Sequence, residues 1–497
     1  MSEKTTQTNR DESLFNATTY QGQLFGFGGF RPAGGPAVEV VEKATGETLY
    51  IAGLADAGDV DAAVEAAVRA QRDWAATAGT VRGDIVRRFS SLLQLHREEV
   101  MEWVIRETGS IKNKGLFEVD LSIRETLEAS TLATQPEGLV LSRSNGRLSM
   151  ATRVPIGVVG IITPWNSPLI LAVRGIMPAL ALGNAVVLKP DVHTPVCGGF
   201  LIARLLQEAG LPNGLFHVLP GGADTGEALV AHQDVKMISF TGSTSVGRRV
   251  GEVAGRLLKR AALELGGNNA FIVREDADIE RAAMAGAFGS FFHQGQICFT
   301  IGRHLVNEKV FDDYVTQLAA RAARLKVGDP FRADVQLGPI INERQAQRAQ
   351  KILDDSVAAG ARVVVGGKRN GLFFEPTVVV DVRPDMPLFH EEIFGPIAAV
   401  LSVKDDAEAV VLANQTEYGL AAAIQSRSLQ QAQAIAGQLK TGVVHINDQP
   451  VIHEVYGPIG GMGASGNGAR TGLPAWEHEF TQWLWQTVND TSPEYPF

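Results

Sequence analysis

Cysteine is nearly absent: Cys197 and Cys298 are the only two among 497 residues. That excludes a disulfide framework and fits a reducing compartment. Long apolar runs are missing too. No uninterrupted stretch approaches the roughly 20 residues of a membrane-spanning helix, and the polar start "MSEKTTQTNRDESLF" holds no apolar signal core. Basic excess is lacking as well. The formal charge is -10 and lysine and arginine form no cluster, which argues against nucleic-acid binding. There is no internal repeat and no low-complexity segment. These absences predict a cytoplasmic protein with neither nucleic acid nor membrane as a partner, and nothing calls for a metal.

What is present is an ordinary globular composition, 45% hydrophobic, in a chain long enough for two or three domains. The first dozen residues read as a loose arm. "DVDAAVEAAVRAQRDWAA" places Val60, Val64, Ala67 and Val68 at helical spacing, with Asp59 as the expected cap, and "VRRFSSLLQLHREEVMEWVIRETG" reads as a second long helix. Asn145-Gly146 lies between two extended runs, a strong hairpin signal. From 154 to 273 apolar runs ("VVGIIT", "AVVLK", "LFHVLP", "KMISFTG", "NAFIV") alternate with helical patterns, which predicts buried parallel strands with helices on both faces. One of those helices has Thr194 as its expected cap, Pro195 in its first turn and Gly210 at its end. A second α/β alternation follows in "HLVNE", "VVVGG", "AAVLSV" and "GVVHIND". The alternating end "EHEFTQWLWQTV" reads as a strand that needs a sheet to join, in this chain or in another subunit.

In open parallel sheets ligands bind beyond the carboxyl ends of the strands. Here those ends carry "TPWN", "KPD", "PGG" and "TGS", so the topology predicts a ligand touched by Trp165, Asn166, Lys189 and Ser243, with Thr163 and Gly242 in the same turns. "FTGSTSVG" offers a helix N-terminus suited to phosphate, although it is not the G-x-G-x-x-G fingerprint. Lys189 at a strand end could meet ribose or phosphate, or be a solvated charge. Glu264, among apolar residues in "ALELGGNNA", is a general base if burial raises its pKa, and otherwise a solvated charge or cap. Asn166 is either an amide donor to a developing oxyanion or a turn residue. A free cysteine is most often a buried hydrophobe. Around Cys298, however, "HQGQICFTIGRH" reads as a polar loop after "AGAFGSFF", where donors can converge on one sulfur.

Taken in order, "PWN", "LKP", "FTGS", "ELGGNN", "GQICF", "EEIFGP" and "GGMGASG" resemble the aldehyde dehydrogenase superfamily, from about residue 20 to the end. The resemblance implies a Rossmann-type NAD(P)-binding domain (20–134 and 154–263), a second α/β catalytic domain (264–479) and a β oligomerisation arm (135–153 and 480–497) in a homodimer or homotetramer. It implies Cys298 as nucleophile, Glu264 as general base and Asn166 as side-chain donor to the oxyanion. Lys189, Ser243 and Glu392 fall on nucleotide-binding positions, with Phe394 beside the nicotinamide ribose. Cys197, inside "TPVCGGFLIARLL", stays structural.

Within the superfamily "LKPDVHT", "LPGGADTGE", "FFHQGQIC", "HINDQP" and "EYPF" look most like bacterial benzaldehyde dehydrogenases, with vanillin dehydrogenases as near neighbours. An aromatic aldehyde is then the expected substrate. Ile170, Phe292, Ile297, Phe299 and Ile459 are expected to line an apolar pocket for a flat ring, and Arg174 either binds a ring substituent or pairs with a carboxylate. Many NAD-dependent relatives carry a glutamate where this chain has Val192, so NADP is expected beside NAD. Alternatives are an aliphatic-aldehyde or semialdehyde substrate, a CoA-acylating relative (disfavoured by Glu264), a non-catalytic structural homologue, and a thiol hydrolase built on Cys298 and His293.

Overall fold

The computed structural model describes residues 13–144 and 147–497; the expected loose N-terminal arm and the Asn145–Gly146 turn lie outside them. Two seven-stranded sheets organise the chain. The first runs in the order Arg260–Glu264, Val235–Thr241, Val158–Ile162, Ala185–Lys189, Phe216–Val218, Gln23–Gly26, Gly29–Pro32. Its first five strands are parallel and the last two antiparallel. Val158–Ile162 and Ala185–Lys189 are buried along their whole length, which is why they read as continuous apolar runs rather than alternating ones. The second sheet runs Arg362–Val365, Thr377–Val380, Ile397–Val403, Ile301–Asn307, Asn269–Val273, Ala421–Gln425, Val443–Ile446 and is parallel except at the first pair. A mixed α/β fold with a Rossmann-like parallel sheet and a second α/β unit results.

Several local expectations are corrected. Periodicity runs "NAFIV" on from the first series, whereas the resemblance puts it past residue 264; Asn269–Val273 sits inside the second sheet, and the first sheet takes "RAALE" instead. Charges at both ends of that five-residue strand masked it. The first long helix begins at Ala57 with Asp56 as cap, and Asp59 is the reciprocal third position of a capping box. The second predicted helix is two, Gly79–Leu95 and Arg97–Thr108, broken at His96. Thr194 caps nothing with its side chain. Glu107, buried nearby, accepts instead from the N–H groups of Val196 (3.1 Å) and Cys197 (2.7 Å), at the start of a π-helical turn over Val196–Phe200. Cys197 is fully buried there.

At the other end of the chain, Leu473–Phe480 is a helix held by buried Trp476 and Phe480, and only Thr481–Val488 is a strand. That strand pairs antiparallel with Arg147–Pro155, which pairs in turn with Gly138–Ser144. Trp483 and Trp485 stay exposed on this three-stranded sheet, together with Leu139 and Val140. Arg153 lies 4.2 Å over the Trp483 ring.

Candidate active site

The segment around Cys298 follows the helix Ile279–Phe291 and departs from it through three consecutive left-handed residues, His293 (φ 51°), Gln294 (φ 56°) and Gly295 (φ 69°). Two of these carry side chains, so the turn is strained and persists only because its surroundings hold it. The polar residues expected to face an open loop are in fact buried. Gln294 Nε2 donates to the carbonyls of Gly109 (3.0 Å) and Pro339 (2.9 Å), and Gln296 Oε1 accepts from the Ile341 N–H at 3.0 Å. Asn269, which the sequence reading passed over inside "GGNN", uses both ends of its amide. Its Nδ2 donates to the carbonyls of Cys298 (2.8 Å) and Thr300 (2.7 Å), and its Oδ1 accepts from Ala421 N–H at 3.0 Å. The result is a rigidly tied backbone with a sulfur still reachable from the cleft.

That cleft, about 1000 Å³ and open to solvent, brings Cys298, Asn166 and Glu264 together with Ile170, Arg174, Phe292, Ile297, Phe299 and Ile459. Asn166 Nδ2 donates to the Gln296 carbonyl at 2.9 Å, which leaves its second amide hydrogen for a ligand. Glu264 ends the edge strand of the first sheet, and its Oε1 has no hydrogen-bond partner among the described residues. Burial pushes its pKa up to about 8 against the opposing pull of Arg174 and Arg470. Burial likewise raises the Cys298 thiol to about 12, with Glu392 and Glu264 adding to the shift and Arg174 opposing it. Arg174 pairs with Glu125 through Nε (3.0 Å) and Nη2 (2.6 Å). His453, not singled out from the sequence, also lines the cleft, its ring edge-on to Phe299 with centroids 4.9 Å apart.

A second group of predicted residues lies along the carboxyl ends of the first sheet. Thr163 N–H donates to the Lys189 carbonyl at 3.2 Å, and the buried Thr163 hydroxyl has no partner among the described residues. Lys189 is buried; its Nζ donates to the carbonyls of Gly221 (2.6 Å) and Pro190 (3.2 Å), and burial lowers its pKa against the opposing pull of Asp191. Gly242 and Ser243 lead into the helix Thr244–Arg256, whose first turn no side chain caps. Trp165 and Phe394 meet edge to face at 5.5 Å, with Phe394 at φ 54°. Glu392 Oε1 accepts from the Gly267 N–H at 2.9 Å, and burial raises its pKa to about 7. A Cβ at Gly266 would stand 2.4 Å from Glu392 Oε2, and one at Gly267 would stand 2.8 Å from the Cys298 carbonyl. The two glycines thus let carboxylate and nucleophile segment close on one another. An uncapped helix start with an exposed serine hydroxyl suits a pyrophosphate, and an ammonium whose hydrogen bonds go to backbone carbonyls suits a ribose or phosphate. These residues fit a dinucleotide.

The "Aldehyde dehydrogenase family" model matches residues 30–485. The chain is 49% identical over 479 residues to the benzaldehyde dehydrogenase [NAD(+)] of Pseudomonas putida, covering 96% of this chain and 98% of that protein. It is also 49% identical over 486 residues to a vanillin dehydrogenase of an Amycolatopsis species, covering 98% and 100%. Among solved structures, the betaine aldehyde dehydrogenase of Staphylococcus aureus in complex with NAD+ superimposes with a TM-score of 0.93 at 30% identity, covering 96% of both chains.

Proposed function

Because the chain belongs to the aldehyde dehydrogenase family, and is an NAD(P)-dependent aldehyde dehydrogenase, we propose that its substrate is an aromatic aldehyde, carried to the carboxylic acid through a thioester on Cys298. The observation that carries the reading is the convergence of Cys298, Asn166 and Glu264 in one largely apolar cleft. With its pKa near 12 the sulfur is a thiol at neutral pH. Its proton passes to solvent water as the sulfur adds to the carbonyl carbon. The carbonyl π pair moves onto oxygen, where the free Asn166 amide hydrogen and the Cys298 N–H receive it. Thr163, Trp165, Lys189, Gly242, Ser243, Glu392 and Phe394 would hold the dinucleotide, whose oxidised nicotinamide would supply the hydride acceptor. Glu264 then takes a proton from the water that hydrolyses the thioester. The acid departs and Cys298 is regenerated.

Ile170, Phe292, Ile297, Phe299 and Ile459 supply the ring-binding wall, and both the benzaldehyde and the vanillin dehydrogenase relatives support it. Burial of a ring contributes a few kcal/mol at most, so benzaldehyde should exceed acetaldehyde in kcat/KM by about ten- to a thousandfold. An absorbance assay of reduced cofactor decides it, and equal efficiency with acetaldehyde would contradict the aromatic assignment.

Cofactor choice is proposed to be permissive. Val192 can neither accept from a ribose hydroxyl nor repel a 2′-phosphate, while the neighbouring Asp191 carboxylate is engaged by the His193 N–H at 2.9 Å and by its ring at 2.7 Å. Val192→Glu should raise the NAD/NADP ratio of kcat/KM at least about tenfold, the worth of one charged hydrogen bond, with a parallel change in dissociation constants. Strong rejection of NADP by the unaltered protein would remove Val192 from this role.

The exposed tryptophans on the strand Thr481–Val488 support a homodimer or homotetramer assembled through the three-stranded sheet. Deleting residues 480–497 should give aggregation or a smaller, unstable species. A truncated chain sedimenting like the full-length one would count against that surface.

A further inference from the structure

We propose that Lys114 and Glu118 are a buried positioning pair that fixes the oxyanion donor Asn166. The inference rests on the role proposed above for Asn166. The helix Lys112–Leu132 turns a stripe of charge inward, where a packed helix ordinarily presents apolar side chains. Lys114, Glu118 and Glu125 are 1%, 0% and 2% exposed. Taking such groups out of water is costly, and a well-packed apolar pair is often no less stable, so the charges call for a purpose other than stability. Each is spent on the segment that carries the site.

Lys114 Nζ donates to the Asn166 carbonyl at 2.6 Å and to Glu118, one turn along its own helix. Glu118 Oε2 accepts from the N–H groups of Leu169 (3.1 Å) and Ile170 (3.3 Å), in the first turn of the helix Pro168–Ala181. Ser167 stands at the cap position of that helix but makes no side-chain cap bond; Glu118 takes its place from the neighbouring helix. Asn166 is therefore held at two points, its backbone carbonyl by Lys114 and its side-chain amide by the Gln296 carbonyl. Losing the ammonium frees the Asn166–Ser167 peptide to rotate, and the donor with it. A misplacement of about 1 Å at a reacting centre costs on the order of a hundredfold in rate.

The test is a Lys114→Met/Glu118→Gln double variant, which removes both charges so that neither stays buried unpaired. It is compared with Lys114→Arg, with Asn166→Ala, and with the triple variant. Two reactions are followed: benzaldehyde oxidation, and hydrolysis of p-nitrophenyl acetate, which needs Cys298 and the oxyanion donor but no dinucleotide. The double variant should lose about 10- to 100-fold in kcat for both reactions with KM changed less than about threefold, and Lys114→Arg should recover most of the loss. In the Asn166→Ala background the same two substitutions should change kcat by less than about twofold, since a group acting through Asn166 has nothing left to act on. A double variant within about twofold of wild type, or losses that multiply fully with Asn166→Ala, overturns the proposal. Should the double variant lose its cooperative thermal transition, Glu118→Gln alone and Lys114→Arg carry the same comparison. Wild-type protein that hydrolyses the ester but oxidises no aldehyde would sink the functional reading while still reporting on the pair.

Discussion

Cys298→Ala abolishes aldehyde oxidation and ester hydrolysis together, by at least about 10⁴-fold in kcat, while dinucleotide affinity stays within about threefold of wild type. Both reactions require the sulfur to add to a carbonyl, and the other cysteine of the chain, Cys197, is fully buried, with its N–H on Glu107. The backbone that surrounds the sulfur is tied by Asn269 through carbonyls, not through the side chain that is removed. The loop therefore keeps its shape, and the Gly267–Glu392 contact on the dinucleotide side is untouched. Stopped-flow absorbance for the chemistry and fluorescence titration for the dinucleotide separate the two effects. Turnover above a trace would sink the covalent mechanism, and a parallel loss of dinucleotide binding would show that the substitution had disturbed the loop.

Glu264→Gln behaves differently in kind. One round of hydride transfer precedes the step that most needs the base, so reduced dinucleotide should appear in a burst of up to one equivalent, followed by turnover slowed about 10²- to 10⁴-fold. The pH profile supplies an independent check. The Glu264 carboxyl is held up at about 8 by burial, so it is largely protonated at pH 7 and becomes a competent base as pH rises through 8. Steady-state kcat of the unaltered protein should climb across that window, and the climb should vanish in the glutamine variant. Full steady-state activity without a burst would remove Glu264 from the mechanism. An unchanged pH limb would assign the titration to another group, with Glu392, raised to about 7, next in line.

The motifs at the strand ends were legible because each is local: "TPWN", "KPD" and "TGS" announce where a buried strand stops and a ligand-facing turn begins. The partners of those motifs were less legible. Lys114 and Glu118 stand one turn apart on a helix, a spacing that on a surface helix is a solvated ion pair worth a few tenths of a kcal/mol. Only the packing of that helix against Pro168–Ala181 buries both and turns them on Asn166. His293, Gln294 and Gln296 misled for the same reason: polar side chains suggest solvent, whereas these are buried and two of them satisfy backbone groups of distant segments. "RAALE" and "NAFIV" show that length and apolarity identify strands but not their sheet. Asn269–Val273 follows the first series in the chain, yet pairs with Ile301–Asn307 and Ala421–Gln425.

By itself the sequence determined the α/β class, the alternation that builds parallel strands, and the chemical kinds of residue available at each strand end. All of these follow from periodicity and composition within a few residues of chain. Tertiary structure alone decided that Cys298, Asn166 and Glu264, drawn from three separate stretches, face one cleft, and that the thiol there is raised to about 12 and the carboxyl to about 8. The reason is that desolvation and the field of neighbouring charges depend on what surrounds a group in space, and residues remote in the chain, such as Arg174, Glu392 and Arg470, supply part of those surroundings.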